Sequence, residues 1–272
     1  MHGKELRKKL KSGNRVYGTH IAETGNPNQL IWLTDSGMDF AFICTEHIPV
    51  DRKEVSWMCA LFAERGVSPM VRIPYPSAEW AAMMLDGGAE GIVAPYVEKP
   101  EDVEALIGAV RYRPIKGEFL RQIISEGWRP SDKLKAFWER FNRNTYLIIG
   151  IESVPAIENL EKLIGYDEVD AVFLGPHDIT CSMEIPEEYD NPDFVNTIKD
   201  VVKRCRKMGK GVGLHCDYAE PLNMQYIDEG MNFILHYSDV MKSRNLLMKE
   251  FGELKQRFGD SDDGLPRPDR FI

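Results

Sequence analysis

Short apolar runs alternate with amphipathic segments along almost the whole chain, and this alternation constrains the fold more than any other feature. It is clearest between Ile148 and Asp178. The first run, Ile-Ile-Gly-Ile-Glu-Ser, ends in a carboxylate at Glu152; the second, Ala-Val-Phe-Leu-Gly-Pro-His-Asp, ends in one at Asp178. Between them, Val154 to Tyr166 carries apolar residues at Ile157, Leu160, Leu163 and Ile164, the spacing of one helix face. Strand, helix, strand predicts a βαβ unit. Both carboxylates then sit at or just after the C-terminal ends of neighbouring parallel strands, the edge where parallel α/β proteins build their active sites. Two carboxylates brought together there are costly unless a proton or a cation is shared between them. A hard divalent ion with oxygen ligands meets that need. The competing role for Glu152 is to sit in the first turn of the following helix, where a carboxylate complements the dipole.

The same alternation extends in both directions. Further strands are predicted at Arg15–Ile21, Asp39–Cys44, Ser68–Arg72, Gly91–Ala94, Gly211–Leu214 and Asn232–Leu235. Helices are predicted at Gly3–Lys11, Asn28–Ser36, Val55–Arg65, Ala78–Leu85, Pro100–Val110, Phe194–Met208, Ala219–Glu229 and within Ser238–Gln256. Eight strands with short connections, over 272 residues, predict an α/β fold in the form of a single (β/α)8 TIM barrel preceded by one helix. The expected domain is 1–258, with a long loop and helix insertion at about 111–144, including a helix at Ser131–Asn142. The tail 259–272, rich in acidic residues, Gly and Pro, is expected to be flexible or to contact a neighbouring subunit.

Charge and composition remove several classes of function. A net charge of −9 without a long basic run excludes nucleic acid as a partner. No apolar stretch approaches a membrane span, and the charged amphipathic start is unlike a signal peptide. Five cysteines, with no C-x-x-C pair, point to reduced thiols in a cytoplasmic setting.

Polar residues gather where the strands end. His20, His47, His177, His215 and His236 all fall at or within two residues of a predicted strand end, as do Glu46, Arg72, Glu152 and Asp178. One such histidine is most simply a half-buried structural residue; five together point to the mouth of the barrel. Without a His-x-Glu-x-x-His pattern, metal ligands are expected to be mainly oxygens, with magnesium, manganese or cobalt the natural ions. No organic cofactor is expected.

An ordered set of motifs resembles the HpcH/HpaI aldolase family of metal-dependent pyruvate aldolases, from about Lys4 to Phe258. The motifs are Gly18-Thr19-His20, Glu46-His47, Val71-Arg72-Ile73-Pro74, Leu85-Asp86-Gly87-Gly88-Ala89 and Ala94-Pro95, followed by Arg111-Tyr112-Arg113-Pro114, Ile151-Glu152-Ser153 and Gly175-Pro176-His177-Asp178-Ile179. The resemblance implies that Glu152 and Asp178 bind the divalent ion, which acts as a Lewis acid on a 2-oxo acid. It implies that Arg72 contacts the developing enolate oxygen and that His47, oriented by Asp86, moves the proton. Glu46 is then an outer-shell group bonded to metal-bound water, and the backbone at Gly175, Pro176, His177 and Asp178 holds the substrate carboxylate. The implied reaction is aldol cleavage or formation between a 2-oxo acid and an aldehyde, in a homo-oligomer built as a hexamer, a trimer of dimers that exchange the last helix.

The chain also departs from that pattern. Gly150 stands where the family usually has a glutamine that helps hold the 2-oxo acid, and Lys116-Gly117-Glu118-Phe119-Leu120 lacks the usual Arg-Gly segment. His177 replaces a small residue, while His20, His215 and His236 add imidazoles to the mouth. These changes imply a different substrate, bulkier or anionic, provided that the three added histidines face the cavity. Alternative readings are another carbon–carbon step at the same site, such as condensation or oxaloacetate decarboxylation, or a non-catalytic metabolite-binding barrel. The physiological aldehyde, the direction of flux and the stereochemistry are not legible in the sequence.

Overall fold

The computed structural model describes residues 1–22 and 26–260. Eight strands close into a barrel in sequence order: β1 (Val16–Ile21), β2 (Phe40–Cys44), β3 (Ser68–Arg72), β4 (Gly91–Ala94), β5 (Tyr146–Ile151), β6 (Val169–Leu174), β7 (Gly211–Cys216) and β8 (Phe233–Ser238). Every neighbouring pair is parallel, including β8 with β1. The chain is a (β/α)8 TIM barrel. The helices are α1 (Gly3–Ser12), α2 (Pro27–Thr34), α3 (Arg52–Glu64), α4 (Ala78–Asp86), α5 (Pro100–Arg111), α6 (Gly117–Ser125) and α7 (Asp132–Phe141) in the first part. They continue with α8 (Val154–Glu158), α9 (Leu160–Ile164), α10 (Pro176–Ser182), α11 (Pro192–Lys207), α12 (Pro221–Asp228) and α13 (Asp239–Phe258).

The two-residue period of each strand sorts its side chains between two cores. Ile43, Val71, Ile92, Ile149, Val172 and Val212 face outward into the layer shared with the helices. Phe40, Phe42, Met70, Tyr146, Phe173 and Phe233 fill the barrel itself. Leu6 and Leu10 of α1 belong to that inner core, so α1 closes the N-terminal end of the barrel like a plug. Each is fully buried, a contribution of about 1.5–3 kcal/mol apiece. The backbone N–H of Gly3 and the Ser68 hydroxyl both donate to Glu90 Oε2, at 2.8 Å, which ties the plug to β3 and β4.

Three stretches differ from the sequence expectation. Val154 to Tyr166 is two short helices that meet at Asn159, because the Asn159 amide donates to the Pro155 carbonyl and competes with the helical ladder. Residues 117–125, taken as part of an irregular connection, form α6, whose Leu120 packs against Gly108 of α5. Strands β7 and β8 run on to Cys216 and Ser238, so His215 and His236 lie within strands and take opposite faces from their neighbours. The expectation for the tail falls, from Ser261 onward, outside the described residues.

Candidate active site

The C-terminal ends of β2, β3, β5 and β6 bring one group of charged residues together. Arg72 ends β3, and its Cα partner across the ladder is Cys44 at the end of β2. Arg72 Nε and Nη2 donate to Cys44 Sγ at 3.3 and 3.1 Å, and the guanidinium lies over the rings of Phe42 and Phe173, at 5.7 and 5.8 Å. Its Nε is also 3.1 Å from Glu46 Oε2. The Arg72 side chain is thus held from below by two aromatic rings and from the side by a thiol and a carboxylate, which fixes where its positive charge points.

Glu46 reaches in the other direction to His47, whose Nε2 lies 3.8 Å from Glu46 Oε2. The His47 imidazole is half-exposed. Burial and the nearby Arg72 charge lower its pKa, while Glu46 and Asp178 pull the other way. It is therefore a neutral base at neutral pH, in electrostatic contact with both Arg72 and Asp178.

Glu152, just beyond β5, is the most unusual group in the mouth. It is only 3% exposed, and its Oε1 has no hydrogen-bond partner. Burial pushes its carboxyl up to about 8; Arg72 opposes the shift, whereas Asp178 and Glu46 add to it. The backbone N–H of Tyr96, itself at a φ of +52°, donates to the carboxylate. Two glycines make room for this arrangement. A Cβ on Gly150 would lie 2.7 Å from Glu152 Oε1 and 2.9 Å from Pro95 Cα. A Cβ on Gly175 would lie 3.1 Å from both Glu152 Cδ and Asp178 Oδ2, so the two carboxylates converge beside the bare Gly175 backbone.

This donor set fits a divalent ion. A buried carboxylate with a free oxygen and a second carboxylate beside it lack a positive counter-charge of their own strength. Among the described residues no cluster of three or more His, Cys, Asp or Glu forms a closed metal cage. Two carboxylates that leave coordination positions to water and substrate oxygens suit magnesium-like ions, which retain several waters.

The other sequence-predicted residues divide. His20 and His215 stand on the inner faces of β1 and β7, their rings T-shaped at 5.5 Å, and His20 also meets Phe42 edge-on at 5.8 Å. His20 Nε2 is buried without a partner, and His215 Nε2 donates to the Tyr237 carbonyl at 2.9 Å. His236 takes the opposite face of β8: its Nδ1 accepts from Tyr218 N–H at 3.2 Å and its ring lies against Tyr218, so it does not line the inner wall as expected. His177 sits in the first turn of α10, exposed, with Nδ1 3.3 Å from the Tyr189 hydroxyl. Gly175 caps that helix, and Pro176 occupies its first position without an N–H to offer.

Asp86 corrects the sequence expectation most clearly. It is the last residue of α4, which returns from the mouth toward the N-terminal end of the barrel, and its carboxylate pairs with Arg113 Nη1 at 3.2 Å. Within this chain it does not orient His47, because a helix that follows β3 carries its C-terminus away from the mouth. Sequence reasoning overlooked Cys44, Phe42, Phe173 and Tyr96. The first three were legible in principle, as inward positions of β2 and β6 by the period of two; the positive φ of Tyr96 has no sequence signal.

The chain is 24% identical over 250 residues to 2-keto-3-deoxy-L-rhamnonate aldolase of Escherichia coli, covering 90% of this chain and 92% of that protein. It is 28% identical over 234 residues to hydroxypyruvate/pyruvate aldolase of Roseovarius nubinhibens, covering 85% and 89%. The fold superposes on the crystal structure of an HpcH/HpaI aldolase from Desulfitobacterium hafniense with a TM-score of 0.78 at 23% identity, covering 96% of this chain and 99% of that one. The sequence profile of the HpcH/HpaI aldolase/citrate lyase family matches residues 26–241, a span that holds the barrel from α2 to β8 and every charged group gathered at its mouth. With that match and this barrel, the chain belongs to the HpcH/HpaI aldolase/citrate lyase family, enzymes that make and break carbon–carbon bonds.

Proposed function

We propose that this protein is a divalent-metal-dependent aldolase that cleaves or forms the aldol of a 2-oxo acid such as pyruvate. The observation that carries the reading is the buried Glu152 carboxylate, its Oε1 unpartnered, converging with Asp178 beside Gly175 and facing Arg72. A divalent ion held by Glu152 and Asp178 would supply Lewis-acid polarisation of the keto oxygen. Magnesium, manganese and cobalt all suit the oxygen ligands. The names of the two aldolase relatives support a 2-oxo acid as the donor half.

The chain's own residues account for the rest. In cleavage, the proton of the C4 hydroxyl leaves to a base, the C3–C4 bond breaks to release an aldehyde, and the electron pair passes into the enolate of the 2-oxo acid. Arg72, pinned by Cys44 and Glu46, points positive charge at the oxygen where the enolate charge develops. His47, neutral and half-exposed, takes up and returns the proton. Glu46 holds both Arg72 and His47, and would accept a hydrogen bond from water brought by a divalent ion at Glu152 and Asp178. The free backbone N–H groups in the first turn of α10, at His177 and Asp178, receive the substrate carboxylate. His20 and His215 line the far wall and bear on the choice of aldehyde.

The deciding experiment is exchange of the pyruvate methyl protons in deuterated water, followed by NMR with magnesium, manganese or cobalt and again after chelation. Metal-dependent exchange is expected, with Arg72→Ala slowing it by about 10²–10³-fold while metal affinity is kept. No exchange with any of the three ions overturns the pyruvate reading. Because Gly150 provides no side chain to grip a 2-oxo acid, oxaloacetate decarboxylation and condensation with another electrophile are then the next reactions to assay at the same site.

Oligomerisation is part of the proposal. Helix α13 is 20 residues long with no buried residue, and Leu246, Leu247, Phe251, Leu254 and Phe258 are all exposed along it. Such a helix is stable only when its apolar side is covered. We assign that cover to a neighbouring subunit that exchanges the helix, in dimers that assemble into a hexamer. The described cysteines are all free, which supports a reducing, cytoplasmic setting.

A further inference from the structure

Two imidazoles inside the mouth have no part in the charge and proton transfers described above. On β7, Val212 and Leu214 face the helices, so Gly213 and His215 face into the barrel. His20 faces inward from β1, and the two rings meet T-shaped at 5.5 Å. They share a cavity with the charged groups of the candidate site. His20 meets Phe42 edge-on at 5.8 Å, and the Arg72 guanidinium lies 5.7 Å from the centre of the same Phe42 ring. Phe173, 5.7 Å from Phe42 and also under Arg72, completes the floor.

Hydrogen bonding fixes what His215 offers. Its Nε2 lies 2.9 Å from the Tyr237 carbonyl oxygen, which can only accept, so Nε2 carries the ring proton. A neutral imidazole has one such proton, and Nδ1 is therefore an acceptor. Burial, with the nearby Arg72 charge, lowers the His215 pKa to about 4, so the ring is neutral at pH 7. Nδ1 forms no hydrogen bond among the described residues, and it is not one of the unpartnered atoms sealed from solvent. The half-buried His215 thus shows the cavity an open acceptor. The carbonyl that sets this tautomer belongs to Tyr237, which is held at a φ of +47°, a conformation rare for a bulky side chain and concentrated at functional sites.

His20 supplies the complement. Its Nε2 is sealed from solvent and has no partner. A buried N–H without an acceptor is harder to tolerate than a buried lone pair, so the proton of the neutral ring sits on Nδ1. That nitrogen forms no hydrogen bond among the described residues and is not sealed. Burial, with His215 and Arg72 nearby, lowers the His20 pKa to about 3, so this ring is uncharged as well. One wall therefore presents an acceptor and a donor side by side, both neutral. A hydroxyl matches them, because it donates to one nitrogen and accepts from the other. A methyl group leaves both unpaired, and a carboxylate brings no proton for His215.

We propose that His215 and His20 form a hydroxyl-recognition subsite, which selects substrates that carry an uncharged hydroxyl on, or one carbon away from, the carbon that forms the new bond. The proposal rests on the aldolase reading above and narrows its substrate class. The hydroxyl donates to His215 Nδ1 and accepts from His20 Nδ1. Its two possible sources, carbon 3 of the 2-oxo acid and carbon 2 of the aldehyde, have the same chemistry and are separated by the test.

Each source is read against an isostere with a methyl group in place of the hydroxyl. For the 2-oxo acid, deuterium exchange at carbon 3 is compared between hydroxypyruvate and 2-oxobutyrate. For the aldehyde, addition of pyruvate to glycolaldehyde is compared with addition to propanal. The readout is the ratio of kcat/KM within each pair, because damage to the fold or the metal site slows both members alike and leaves the ratio unmoved. His215→Phe and His20→Phe keep an aromatic ring and lose the nitrogens. Each is expected to lower the ratio by about tenfold or more in one pair, by slowing its hydroxylated member. A fall in the first pair places the hydroxyl on the 2-oxo acid, and a fall in the second places it on the aldehyde. Ratios unchanged from the parent's in both pairs, for either variant, overturn the proposal. So does a fall that comes only from faster reaction of the methyl isostere. Exchange of pyruvate by the parent protein separates the two levels. With exchange present and the ratios unmoved, the aldolase reading stands and this proposal alone fails; with no exchange of any 2-oxo acid, both fall.

Discussion

Glu152 and Gly175 show how little separates a sound barrel from a working site. The carboxylate is buried where water cannot solvate it, and the glycine backbone leaves the gap in which it meets Asp178. Gly175→Ala adds one methyl group that must displace the flexible ends of Glu152 and Asp178, not backbone. The fold should survive, with an unchanged circular dichroism spectrum, while metal affinity by calorimetry falls about 10–100-fold. A variant that binds metal normally would mean that the two side chains relax without cost. The inner-wall histidines give a pH signature. Burial, helped by neighbouring positive charge, lowers His20 to about 3 and His215 to about 4, against 6.5 for a free imidazole. Below about 6.5 the unfolded chain takes up protons that the folded chain refuses, so stability present at neutral pH is lost as the pH falls toward 4. Urea unfolding should show a loss of about 1.4 kcal/mol per pH unit for each histidine, and His20→Leu should remove one share of that slope. At this scale, residue type and strand-end position were enough to pick out Glu46, His47, Arg72, Glu152 and Asp178 as neighbours in space. They did not pick out Asp86, which the family resemblance alone put beside His47; within this chain its helix carries it to Arg113 instead.

Elements were legible where one face is apolar and the other is not. Helix α3 was expected from Val55, yet it starts at Arg52, because Asp51 and Glu54 form a reciprocal capping box that the apolar pattern does not report. Helix α6 was missed because its apolar positions follow a basic loop and a glycine, and its packing partner, the bare surface of Gly108, exists only in three dimensions. Helix α13 makes the opposite point. Its periodicity is plain, yet the chain that shows it buries none of it. Leu247→Glu combined with Phe251→Glu should therefore leave the barrel folded and reduce the particle mass in size-exclusion chromatography with light scattering. An unchanged mass would mean that the helix is covered in some other way.

For the whole molecule, the closed parallel barrel separates two chemistries by its length: carboxylates and a guanidinium at the C-terminal mouth, and a plug, an insertion and a cationic cavity at the N-terminal end. If the mouth holds a divalent ion that the unfolded chain does not, metal at about 100 times its dissociation constant should stabilise the fold by about 2.7 kcal/mol. Thermal unfolding with and without chelator measures this, and Glu152→Gln should abolish the difference. By itself the sequence determined the barrel, since eight apolar runs at regular spacing with helical segments between them leave a parallel sheet little choice but to close. It also determined which end bears the carboxylates, because parallel strands place all their C-termini at one edge. Only the tertiary structure decided which side chains face inward, that Glu152 Oε1 lacks a partner, that Asp86 pairs with Arg113 and His236 with Tyr218, and that five cations from three separate stretches line one cavity. The reason is physical: periodicity reports burial along one element, whereas hydrogen-bond partners and electric fields arise from residues that only the closed barrel brings together.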